Sequence, residues 1–80
     1  MIEKYIQKLI DELYSRGYSR KTIKTYLTGF NVFYRFLKKQ VNYANNEDFK
    51  KFKIFLIDKN TEPKTINTYL ASIKFFYRNI

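Results

Sequence analysis

Seventeen residues of this chain occur twice, at a constant offset of 43. Residues 21–37 read KTIKTYLTGFNVFYRFL, and residues 64–80 read KTINTYLASIKFFYRNI. Nine positions are identical: Lys21/Lys64, Thr22/Thr65, Ile23/Ile66, Thr25/Thr68, Tyr26/Tyr69, Leu27/Leu70, Phe33/Phe76, Tyr34/Tyr77 and Arg35/Arg78. The duplication turns one ambiguous basic helix into a matched pair. Whatever the first copy does, a second with nearly the same faces can do beside it.

Apolar residues recur at helical spacing almost throughout the chain. The first helix is predicted from about Glu3 to Arg16, burying Ile6, Leu9, Ile10 and Leu13. Gly17 supplies the left-handed residue that ends it. Ser19 is a good N-cap for a second helix from about Arg20 to Lys39. Residues 40–46 form the longest connection. Asn45 or Asn46 caps a third helix running to about Lys59, with Glu47 and Asp48 favourable in its first turn. This helix is expected to bury Phe49, Phe52, Phe55 and Leu56. Asn60 tolerates the left-handed conformation, and Pro63 suits the first position of a fourth helix, with Glu62 at its cap.

The same offset aligns Gly17 with Asn60, Ser19 with Glu62, Leu9 with Phe52 and Leu13 with Leu56. The repeated unit is therefore a helical hairpin rather than one helix. Two short links imply two antiparallel pairs. Solenoid repeats need three or more copies, so two copies are expected to pack on each other and close one core. The fourth helix reaches Ile80 without Gly or Pro, from which we expect the chain to be a piece of a longer protein.

Eighty residues make one small domain, and a core of that size is workable without staples. Hydrophobic content of 45% and aromatic content of 20% argue for a packed core. The chain has no cysteine, which excludes disulfides and thiolate metal sites, and no histidine, the commonest general base and metal ligand. No cofactor or metal is expected. No apolar run approaches about 20 residues and no leader pattern is present, so a soluble, cytoplasmic chain without membrane attachment is expected.

The net charge is +9, and its placement is uneven. Residues 19–39 carry six cations and residues 63–80 carry three, with no acid in either stretch. The rest of the chain is neutral, so the charge lies on the repeated segments. A Lys-, Asn-, Tyr- and Phe-rich composition can reflect AT-rich coding. That bias does not explain why acids are missing from these two stretches.

On a helical projection, Ile23, Tyr26, Leu27, Phe30, Phe33, Tyr34 and Leu37 share one apolar arc. Lys21, Lys24, Thr25, Thr28, Asn31, Arg35 and Lys39 occupy the other. The fourth helix repeats this, with Ile66, Tyr69, Leu70, Ile73, Phe76, Tyr77 and Ile80 against Lys64, Asn67, Thr68, Ala71, Lys74 and Arg78. Lys and Arg neutralise phosphates, while Ser, Thr and Asn hydrogen-bond phosphate oxygens and base edges. A cationic arc is otherwise a solvated face. Two with the same layout favour a nucleic-acid ligand. The tyrosines and phenylalanines could stack bases, but at these spacings they read as core. Gly29 and Ser72 are small in both copies and predict a close helix crossing.

The stretch from Arg16 through Gly17, Ser19, Lys21, Thr22, Ile23, Tyr26 and Leu27 resembles the start of the core-binding domain of tyrosine recombinases, the phage integrase and Xer family. So does Pro63 to Leu70, followed by Ile73-Lys74-Phe75-Phe76-Tyr77. The resemblance covers nearly the whole chain. It implies an all-α, four-helix SAM-like bundle of two crossed antiparallel hairpins, here with an internal pseudo-repeat. It also implies a module that holds one side of duplex DNA while a separate catalytic domain closes on the other. Carried over by position, it nominates Ser19, Lys21, Lys24, Thr25, Thr28, Lys64, Asn67, Thr68 and Lys74 as DNA-binding. Arg20 is added from its charge. Two positions depart from the family pattern: Glu62 replaces Ser or Thr at a cap, and Ala71 replaces a polar residue.

The family's catalytic Arg, Lys, His and Tyr belong to the other domain, so no catalytic residue is expected here. A further domain of about 150–200 residues is expected in the parent protein. Duplex DNA and other recombinase protomers are the implied partners, with the isolated domain monomeric. The competing reading is a helical protein-interaction module that exposes Val32 or Phe36, its charge incidental. Attachment to an anionic membrane surface ranks lower, because the apolar arcs are committed to the core.

Overall fold

Both interhelical turns of the duplicated hairpins close in the same way. The computed structural model describes residues 2–80. Helix α1 spans Ile2–Ser15, α2 Arg20–Leu37, α3 Asn46–Asp58 and α4 Pro63–Asn79, with a 3₁₀ turn at Val41–Tyr43. After α1, Gly17 takes φ 83°. Its N–H donates to the Tyr14 carbonyl, and the Tyr18 N–H donates to the Leu13 carbonyl. After α3, Asn60 takes φ 59°, its N–H donates to Ile57, and the Thr61 N–H donates to Leu56. Each pair is a Schellman closure that satisfies two end carbonyls. The second copy uses Asn where the first uses Gly, as the sequence alignment implies.

The helix starts differ in chemistry. Ser19 caps α2 by accepting the Thr22 N–H. Asn45 caps α3 in a reciprocal capping box with Asp48. Helix α4 begins on Pro63 after Glu62, whose side chain makes no cap bond.

The core is itself built from repeat-related pairs. Leu9 and Phe52, Leu13 and Leu56, Ile23 and Ile66, Phe30 and Ile73, and Phe33 and Phe76 are all buried. Phe30 and Phe76 rings lie 4.5 Å apart, and Phe33 meets Phe52 edge-on at 5.1 Å. Helices α2 and α4 make the central contact, with the two hairpin partners outside them. At the crossing, a Cβ added to Gly29 would lie 2.8 Å from Tyr69 Cδ1 and 3.1 Å from Tyr69 Cα. Ser72 is fully buried and donates its hydroxyl to the Tyr26 carbonyl at 2.7 Å. The two small residues therefore mark a close backbone approach, as expected.

The repeat breaks at the end of α2. The helix stops at Leu37, two residues short of the expected Lys39, and Lys38 turns left-handed at φ 55°. The chain then drops Val41 into the core, 2% exposed. The Tyr77 hydroxyl donates to the Val41 carbonyl. Burial, with the Asp48 carboxylate and Tyr5 adding to it, pushes the Tyr77 phenol up to about 12. Lys39 turns aside to pair with Asp48 at 2.7 Å.

Several arc positions differ from expectation. Tyr34 is exposed, although its repeat mate Tyr77 is packed against the core and donates to the Val41 carbonyl. Ile80 is exposed where its counterpart Leu37 is buried. Leu27 and Leu70 lie at the arc edge and are half-buried against the core, as are Ile6, Phe49 and Phe55, and Ile10 is half-buried. Val32 and Phe36 are not exposed either. Both pack against the core, and the Phe36 ring lies 4.8 Å from Phe55 and 5.4 Å from Phe52. No described helix is long and apolar enough to cross a membrane.

Candidate nucleic-acid interface

The first-turn charge on α2 and α4 runs against their own dipoles. A helix N-terminus carries partial positive charge and favours acids in its first turn. Helix α1 has Glu3 there, and α3 has Glu47 and Asp48. Helices α2 and α4 have no acid in the first turn, and instead place Arg20, Lys21 and Lys64 there. Cations at that position cost a few tenths of a kcal/mol, which a bound anion offsets.

These two starts share one surface. A shallow groove between α2 and α4 consists of two adjoining depressions. Lys24, Thr25 and Thr28 line the first with Lys64 and Thr68. Lys21 and Asn67 line the second, where Thr25, Lys64 and Thr68 recur. Seven of the ten residues nominated from the sequence therefore meet here, and no carboxylate lines either depression. The two ion pairs among the described residues, Arg16–Glu12 and Lys39–Asp48, lie elsewhere. Lys21, Lys24 and Lys64 are exposed.

Three of the five groove threonines share one hydrogen-bond state. Thr25 donates to the Lys21 carbonyl, Thr28 to Lys24 and Thr68 to Lys64, each at 3.0 Å. Their protons are thus used within the helix. Each oxygen keeps acceptor capacity, and each side chain keeps its methyl. That combination suits amino groups and thymine methyls on base edges better than it suits phosphate oxygens, which need donors. The lysines are the members of the set whose charge and free donors suit phosphate oxygens.

Three nominated residues lie off the groove lining. Ser19 is engaged as the α2 cap and also donates to Thr22 Oγ1 at 3.0 Å. Arg20 is exposed in the adjoining first turn. Lys74 lines a separate depression with Asn46, Phe49, Leu70, Tyr77 and Arg78. Five lining residues were not nominated: Thr22, Thr65, Tyr26, Tyr69 and Ala71. The first four carried a signal, since they are identical between the copies, whereas Ala71 stands opposite Thr28. The two tyrosines are half-buried. Burial, with Tyr18 adding to it, pushes the Tyr26 phenol above its ordinary value, so it stays neutral.

Neither the curated proteins nor the solved structures contain a match to this chain. The family described as phage integrase, N-terminal SAM-like domain, matches residues 5–80. That span includes most of α1, all of α2, α3 and α4, and every residue of the groove. This chain belongs to the family of N-terminal SAM-like domains of phage integrases.

Proposed function

We propose that this chain is the DNA-holding module of a site-specific tyrosine recombinase, gripping duplex DNA sequence-specifically through the α2–α4 groove. The observation that carries this reading is the convergence of Lys21, Lys24 and Lys64 on one groove that no carboxylate lines. Lysines anchor the backbone, and Thr25, Thr28, Asn67 and Thr68 face the base edges. Arg20 and Ser19 extend the contact at the start of α2. Glu62, exposed at the start of α4, weakens that end for phosphate.

In this reading residues 1–80 form one binding unit of a longer protein. A separate catalytic domain cuts and rejoins the strands and closes on the opposite side of the duplex, forming a clamp. Other protomers of the recombinase assemble on the same DNA. The isolated unit is monomeric and acts in the cytoplasm. The protein-interaction reading is weaker, because Val32 and Phe36 are engaged with the core and with Phe55.

Fluorescence anisotropy with labelled duplex DNA tests the proposal, with anionic phospholipid vesicles as the comparison. If about four phosphates are neutralised, log K falls against log salt with a slope near −3.6. Vesicle binding equal to duplex binding, or no duplex binding at low salt, overturns it.

A further inference from the structure

Apart from Lys64, which lines both depressions where Lys21 lines one, the two halves of the groove are images of each other under the sequence repeat. One depression is lined on α2 by Lys24, Thr25 and Thr28. Forty-three residues on, these are Asn67, Thr68 and Ala71, which line the other depression on α4. The converse holds as well. Lys21, Thr22, Thr25 and Tyr26 line the second depression, and their counterparts Lys64, Thr65, Thr68 and Tyr69 line the first.

The contacts beneath the groove obey the same exchange. Gly29 lies against Tyr69, and its counterpart Ser72 is bonded to Tyr26, the counterpart of Tyr69. Thr25 donates to Lys21 as Thr68 donates to Lys64. An approximate twofold axis therefore runs between Thr25 and Thr68 and emerges through the floor of the groove.

Duplex DNA has a twofold of its own, relating its antiparallel strands. Proteins with twofold symmetry read sites whose near-palindromy mirrors that symmetry, usually as dimers. Here one chain carries the axis. If the two axes coincide, Lys21 and Lys64 meet equivalent phosphates, one on each strand. A tilted duplex would satisfy one lysine and leave the other unused.

Resting on the DNA-binding reading, we infer that this groove engages duplex DNA on its dyad, as a single-chain mimic of a symmetric dimer. Lys21 and Lys64 hold opposite strands. Thr25 and Thr68 flank the central base pairs. Lys24 against Asn67 and Thr28 against Ala71 are the groove positions at which the copies differ, and they set how the preferred site departs from a palindrome. Asn pairs bidentately with adenine, whereas Lys favours guanine or phosphate. The half-site under Asn67 is thus expected to carry the adenine.

The test is selection of a preferred duplex from a random pool, followed by phosphate-ethylation interference on that duplex. The expected result is a near-palindromic site with one interference cluster on each strand, related by a dyad. Lys21→Ala and Lys64→Ala then weaken binding by amounts equal within about twofold, each flattening the salt slope by about 0.9. The double variant Asn67→Lys/Ala71→Thr makes the second copy match the first at both positions. It is expected to steepen the slope by about 0.9 and to move the selected site toward a perfect palindrome. Tight binding to a site without a dyad, with interference on one strand, overturns this inference and leaves the DNA-binding reading standing. Absence of duplex binding at low salt overturns both.

Discussion

Gly29 and Tyr69 approach so closely that a single added methyl would sit 2.8 Å from the ring and 3.1 Å from the backbone of Tyr69. This contact sets the distance between α2 and α4, and so the width of the groove above it. In a free helix, Gly29→Ala would gain about 1 kcal/mol of propensity. Here the ring and backbone of Tyr69 must shift, and overpacking of this kind costs about 1–3 kcal/mol. Urea unfolding of Gly29→Ala should show net destabilisation.

The two Schellman closures predict opposite responses to glycine and alanine. A left-handed residue with a Cβ costs about 1–2 kcal/mol, less for Asn. Gly17→Ala should destabilise by about that amount through the backbone alone, since nothing lies within 4 Å of the added carbon. Asn60→Ala should destabilise in the same direction, and Asn60→Gly should be neutral or stabilising. Thermal unfolding of the three variants checks the order.

Two titrating groups make stability depend on pH at opposite ends. Asp48 accepts from the Lys39 ammonium and the Asn45 backbone N–H, which hold its carboxyl below its ordinary value. A depressed carboxyl stabilises above its unfolded value of about 4, and that contribution is lost as pH falls through the folded value. Tyr77 is raised to about 12. Its contribution is present below about 10 and lost as pH rises from there toward the folded value. Tyr77→Phe should remove the alkaline loss, and Asp48→Asn should blunt the acid one. Unfolding midpoints across both ranges read the effect.

The repeat made most of the fold legible before any coordinates. It paired Leu9 with Phe52 and Gly17 with Asn60, and each pair plays matching roles in the structure. It also placed Gly29 and Ser72 at the helix crossing. The end of α2 was not legible, because Lys38 turns left-handed without a Gly to announce it. The cause is tertiary: Val41 must reach the core and meet Tyr77, 36 residues away. Tyr34 is exposed where its identity with Tyr77 suggested cover. The groove was legible as two cationic arcs. That Lys74 would fall on a different depression depends on where α3 begins, and no helical projection contains that information.

Core substitutions should rank by burial rather than by arc membership. Phe33 is fully buried and touches aromatic rings from α3 and α4. Phe33→Ala should cost about 3–5 kcal/mol. Leu27→Ala and Leu70→Ala, at half-buried positions, should cost less than Phe33→Ala. Chemical denaturation of the three variants tests that ranking.

The central claim is that the α2–α4 groove is where DNA binds. Titrating the isotope-labelled chain with duplex DNA and following its amide resonances tests it most directly. The expected shifts cluster at residues 19–28 and 64–71, around the lysines and threonines of the groove, and diminish as salt is raised. Shifts confined to α1 and the outer face of α3, with Lys21 and Lys64 unmoved, would contradict it.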